Sequence, residues 1–126
     1  MKCLMFLFLM LPTTSSIMPN LGLISNALSS GDATTLATYF DESVEVTILN
    51  EVDIYSQSEA KQVVQSFFTA QKPKNYAKVH EGTSKGKGGQ YCIGNLTTSN
   101  GKFRVYLYLM KTGSKYLIQE IRFEQE

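Results

Sequence analysis

The chain has 126 residues, is 43% hydrophobic, and balances 12 Lys and Arg against 11 Asp and Glu. That is one domain's length, with enough apolar content for a core of its own, so a disordered segment and a multidomain assembly are both excluded. A near-zero net charge also argues against a nucleic-acid binder, which usually keeps an overall positive charge.

In chain order, Met1 and Lys2 precede an unbroken apolar run at residues 3–11, followed by Pro12 and the small polar residues Thr13, Thr14, Ser15 and Ser16. This pattern predicts a secretory signal peptide over 1–16 and a mature domain over 17–126, exported to the periplasm or beyond the cell. The run is far short of the about 20 apolar residues that span a bilayer, so no transmembrane anchor is expected after cleavage. Cys3 sits too near the start for lipid modification, and its loss leaves Cys92 as the sole cysteine. Charge is segregated in what remains. Residues 17–60 hold seven carboxylates and no Lys or Arg, whereas 61–115 hold ten basic residues against Glu81. The two halves are expected to complement each other.

Ile17, Leu21, Ile24 and Leu28 repeat at helical spacing, with Gly31 as a left-handed C-cap. Asp32 then caps a second short helix carrying Ala33, Leu36, Ala37 and Phe40. Val44, Val46 and Ile48 alternate as a short strand, and a brief extended piece follows around Ile54 and Tyr55. Ser56 and Glu59 form a capping box ahead of a third helix bearing Ala60, Val63, Val64, Phe67 and Phe68, which must stop before Pro73. Four extended runs follow, separated by Gly86, Gly88 and Gly89, by Asn100 and Gly101, and by Gly113, and they read as an antiparallel meander. A type I′ turn at Asn100 and Gly101 sets Thr98 opposite Phe103, Leu96 opposite Val105, Gly94 opposite Leu107 and Cys92 opposite Leu109. A three-residue loop at Thr112, Gly113 and Ser114 extends that face through Leu117, Gln119, Ile121 and Phe123. A two-residue loop would turn every side chain over.

This order of elements, with NALSSGD at 26–32, YFDE at 39–42 and YSQSEA at 55–60 leading to Phe67 and Phe68, resembles the nuclear-transport-factor-two-like superfamily. TTSNGKFRVY at 97–106 and YLIQEIRF at 116–123 look like an exported bacterial family within it, domain of unknown function 4783. The resemblance implies an α+β, cystatin-like cone. Three N-terminal helices would pack on a curved antiparallel sheet of four long strands plus one short N-terminal strand, and the open end could hold a small apolar ligand. In the superfamily's steroid isomerases a carboxylate base lies a few residues into the first strand. Thr47 stands there in this chain, with Glu45 one alternation away, so that site is not carried over.

In the predicted register Gln119 is a buried amide beside Leu107, with Gly94 leaving room next to it. A buried amide needs a partner. It is the polar anchor of a predicted pocket with Tyr39, Tyr55 and Thr47 as walls, or else makes a structural hydrogen bond to a tyrosine or water. His80, paired with Ile93, lies on the opposite sheet face beside Lys78 and Tyr76 with no triad partner. Cys92 reads as a core thiol. No ligand spacing suits a metal, and no catalytic set or cofactor is expected. The opposite face also carries Tyr91, Ile93, Tyr106, Tyr108, Met110, Tyr116 and Ile118, a face too aromatic to stay wet, which predicts a homodimer. The lysines at 72, 74, 78, 85 and 87 are read as solvated. The expectation is an exported, noncatalytic module of the cell envelope that binds a small ligand or a partner, the alternative being a small pocket enzyme of isomerase or dehydratase type.

Overall fold

The computed structural model describes residues 21–84 and 88–126. The signal-like run, Ile17, Lys85 and Lys87 lie outside them. The first helix, α1 (Leu21–Ser30), buries Ile24, Ala27 and Leu28. It ends where predicted, with Gly31 at φ +68°. The Asp32 N–H reaches back to the Ala27 carbonyl at 2.8 Å, the long bond of a Schellman cap. Asp32 then caps α2 (Ala33–Ala37) by accepting from the Thr35 N–H at 3.0 Å. Ser56 caps α3 (Gln57–Gln71) by accepting from the Glu59 N–H at 3.3 Å. Lys72 takes the left-handed conformation at the far end, and Pro73 opens the next strand.

Six strands form one sheet: β1 (Phe40–Ile48), β2 (Glu51–Ser56), β3 (Pro73–Thr83), β4 (Gly89–Thr98), β5 (Gly101–Thr112) and β6 (Lys115–Gln125). Their order is β2-β1-β6-β5-β4-β3. The long meander is present as expected, but the sheet has one more strand than predicted and is mixed, because β1 runs parallel to β6. The piece around Ile54 and Tyr55 is a full strand, paired with β1 from Ser43 opposite Ser56 to Ile48 opposite Glu51.

Both predicted turns are corrected. The β4–β5 turn falls on Ser99 and Asn100, so Thr98 faces Gly101, Leu96 faces Phe103, Gly94 faces Val105 and Cys92 faces Leu107. The shift is two residues, which keeps every side chain on its predicted face. The reason lies in α3. Asn100 Nδ2 donates to the Ala70 carbonyl at 2.7 Å, and the Ser99 N–H to those of Gln71 and Lys72, each at 3.1 Å. The hairpin tip thus serves the carbonyls that a helix C-terminus leaves unpaired.

The β5–β6 turn is the two-residue form, Thr112 opposite Lys115, not the longer loop. The expected inversion of faces is averted by a bulge. Leu109 pairs with Ile118 and Tyr108 with Glu120, leaving Gln119 as the extra residue. Ile118, Ile121 and Phe123 therefore all face the core and are fully buried. Helices and sheet meet over this face, where the Phe67 and Phe123 ring centroids lie 4.4 Å apart and Phe103 meets Phe67 edge-on at 5.2 Å.

Candidate functional site

Two surfaces on this framework have the composition of binding sites. The first is a groove of about 370 Å³ between α3 and the β1–β2 hairpin, lined by Val46, Ile48, Glu51, Tyr55, Val63, Ser66 and Phe67. Its walls follow from two periodicities. Val44, Val46 and Ile48 point inward from β1 by alternation, and Tyr55 sits on the same side because it faces Val44 across the ladder. On α3, Ala60, Val64, Phe67 and Phe68 are buried, while Val63 is one position further round and stays half-buried. The helical stripe is thus wider than the core consumes, and the surplus meets the hairpin. Glu51 and Ser66 supply a carboxylate and a hydroxyl at the margin.

The second is the sheet face turned away from the helices. There Tyr91, Ile93, Tyr106 and Tyr108 are half-buried. The Tyr91 ring lies over Gly82 and the Tyr108 ring over Gly89, closely enough that a Cβ at either glycine would overlap the phenol. Tyr91 Oη and His80 Nε2 are 3.1 Å apart. Arg122 stacks 5.1 Å from the Tyr106 ring centroid and pairs with Glu120. Partial burial raises the Tyr106 hydroxyl pKa, and the Glu120 carboxylate adds to it.

The six predicted pocket residues are not brought to one cavity. Tyr55 lines the groove. Gln119 is not the polar floor beside Leu107: as the bulged residue it is half-buried and donates from Nε2 to Asp41 Oδ2 at 3.1 Å. Leu107 faces Cys92 and Ile121 instead and is wholly in the core. The room expected beside Gly94 is filled by the Tyr76 ring, which a Cβ there would meet at 2.4 Å. Thr47 alternates to the outer face, opposite Val52 and Arg122. Tyr39 packs against the core margin, its carbonyl accepting from the Ile118 N–H at 2.6 Å.

Of the predicted outer-face residues, Ile93, Tyr106 and Tyr108 are in place, but Ile118 is in the core and Tyr116 packs against it. Tyr76, expected beside His80 on the outer face, points inward. An irregularity between Lys78 and His80 reverses β3 there, so His80 alone of the two keeps its outer position opposite Ile93. Tyr76 is buried with its hydroxyl 3.5 Å from Cys92 Sγ. Burial raises the pKa of both groups. Sequence reasoning missed Val46, Ile48, Glu51, Val63, Ser66 and Phe67 as groove residues. The surplus apolar stripe on α3 was a usable signal, whereas Glu51 could be placed only once β2 was known to pair along its whole length.

Among the described residues no cluster of His, Cys, Asp and Glu could hold a metal ion, and no helix is long and apolar enough to cross a membrane. No curated protein matches the chain. Solved structures do. A protein of the DUF4783 family from Bacteroides ovatus is 28% identical, with a TM-score of 0.80 over 86% of this chain and 96% of its own. One from Bacteroides fragilis is 28% identical, with a TM-score of 0.79 over 86% and 99%. A protein of unknown function with a cystatin-like fold from Nostoc punctiforme, 12% identical with a TM-score of 0.66 over 83% and 72%, shares the fold alone. The family profile itself matches residues 22–124, nearly the whole domain. The chain belongs to the family described as domain of unknown function (DUF4783).

Proposed function

We propose that the protein is an exported, noncatalytic binding module of the cell envelope that holds a small, mostly apolar ligand in the groove between α3 and the β1–β2 hairpin. The observation that carries this reading is the groove's composition: aliphatic and aromatic walls with a carboxylate and two hydroxyls, in a volume within the roughly 300–1,000 Å³ range of small-molecule sites. Proton-transfer chemistry needs a positioned acid or base held at a shifted pKa. The lining offers one carboxylate, Glu51, on an exposed strand. The signal-like run at 1–16 supports export.

Titration with the neutral fluorophore N-phenyl-1-naphthylamine tests the groove. Saturable one-to-one binding is expected, lost when Ser66→Phe fills the space, with thermal stability unchanged. Binding unaffected by Ser66→Phe would refute the assignment.

A second reading concerns assembly. The outer face, with its half-buried tyrosines, Ile93 and stacked Arg122, has the aromatic and arginine content of an interface core. We infer that two copies pack sheet against sheet there. Sedimentation should show a dimer that Tyr108→Glu converts to monomer.

A further inference from the structure

The sheet ends on β2 at one side and β3 at the other, and the two edges are finished differently. Strand β3 opens with Pro73, carries Lys74 and Lys78, and is broken by the irregularity at Val79. These are the devices by which proteins keep an edge from pairing with a foreign strand. Strand β2 has none of them. Its register against β1 is unbroken, it contains no proline, lysine or arginine, and Val52 and Ile54 are 57% and 67% exposed. A two-residue turn joins Ile48 to Glu51, so those two residues exchange ladder bonds and the N–H groups of Val52, Ile54 and Ser56 face away from β1. The Ile54 N–H meets its neighbour's side chain, donating to Asp53 Oδ1 at 2.8 Å. The carboxylate stands where the carbonyl of a further strand would lie.

We propose that β2 is a docking edge for an extended segment of another protein in which apolar residues alternate with lysine or arginine. The apolar residues cover Val52 and Ile54 on one face, and the cations lie against Glu51 and Asp53 on the other. Charge selects this occupant over a second copy of the same edge. Antiparallel β2–β2 pairs centred on Val52 or on Asp53 set Asp53 against Glu51 or against itself, and like charges directly opposite each other are destabilising. The register centred on Ile54 escapes this only by setting Val52 against Ser56, which leaves that apolar side chain without an apolar partner. The strand beside it agrees in sign, since β1 carries Asp41, Glu42 and Glu45 and no Lys or Arg.

The test is amide hydrogen exchange with a hexapeptide of alternating lysine and valine. Exchange at Val52 and Ile54 should slow by about tenfold or more at saturation, as in a paired strand. Asp53→Lys should weaken binding by about tenfold, whereas Glu81→Lys, the same charge reversal on the opposite edge strand, should leave it unchanged. A glutamate–valine hexapeptide and an N-methylated lysine–valine peptide, which keeps the charge and cannot pair as a strand, should both fail. Equal binding by either control, or no slowing at Val52 and Ile54, would overturn the proposal. So would slowing that rises with protein concentration in the Tyr108→Glu chain without peptide, which would assign the edge to a second copy. The groove is unaffected by these outcomes, because the fluorophore titration reads it separately.

Discussion

Gly94 shows how one residue's size can be set by a neighbour far along the chain. The Tyr76 phenol occupies the space a β-carbon would need, and that ring is itself buried and tied to Cys92. Gly94→Ala should therefore cost about 1–3 kcal/mol in urea denaturation, the usual range for overpacking. Tyr76→Leu in the same chain should recover part of it. The sequence offered Gly94 as an empty place beside a buried amide. Neither half of that picture was legible: the irregularity at Val79 that swings Tyr76 inward leaves no mark on the alternation of β3, and the bulge that takes Gln119 off the core face leaves none on β6. Ionisable residues are better behaved. Hydrogen bonds from the Thr35 hydroxyl and N–H hold the Asp32 carboxyl below its ordinary pKa. Its contribution is present above about pH 4, the unfolded value, and is lost as pH falls through the lower folded value. Asp32→Asn should remove that part of the acid dependence while keeping a capping side chain, a comparison that thermal melts between pH 3 and 6 can make.

At the scale of elements, caps and amphipathic stripes were readable because they are local. Gly31, Asp32, Ser56 and Pro73 mark helix boundaries through their own backbone chemistry. Registers were not, since each was decided by a partner distant in sequence: the α3 carbonyls drew the β4–β5 turn onto Ser99 and Asn100, and the Gln119 bulge offset the tight β5–β6 turn. The bulge makes a sharp prediction. Deleting Gln119 joins two segments that are already in phase on the same face, so the variant should fold, losing on the order of 1 kcal/mol with the Asp41 bond. Deleting Arg122 instead should turn Phe123 outward and abolish the cooperative transition. Circular dichroism melts of the two deletions separate these outcomes. Ser56→Ala should cost about 1 kcal/mol by removing the cap of α3.

For the whole molecule, the sequence carried the α+β class, the meander and the family resemblance over nearly the full domain. The mixed sheet was hidden, because nothing local in Phe40–Ile48 announces a parallel partner. Desolvation raises the pKa of buried Cys92 and Tyr76, so ionising either group at high pH opposes the fold. Each contributes stability that is full below its unfolded pKa and declines as pH rises through the folded value. The urea midpoint should fall above about pH 8.5, where unfolded thiols begin to ionise, and Cys92→Ala should delay the onset. The same β1–β6 pairing governs how the molecule is made. Contacts such as Phe40 with Ile118 join distant stretches, and β6 is the strand through which the β1–β2 hairpin joins β5, β4 and β3 in one sheet. Long loop closure of this kind is slow. The sheet is therefore complete only when β6 is in place.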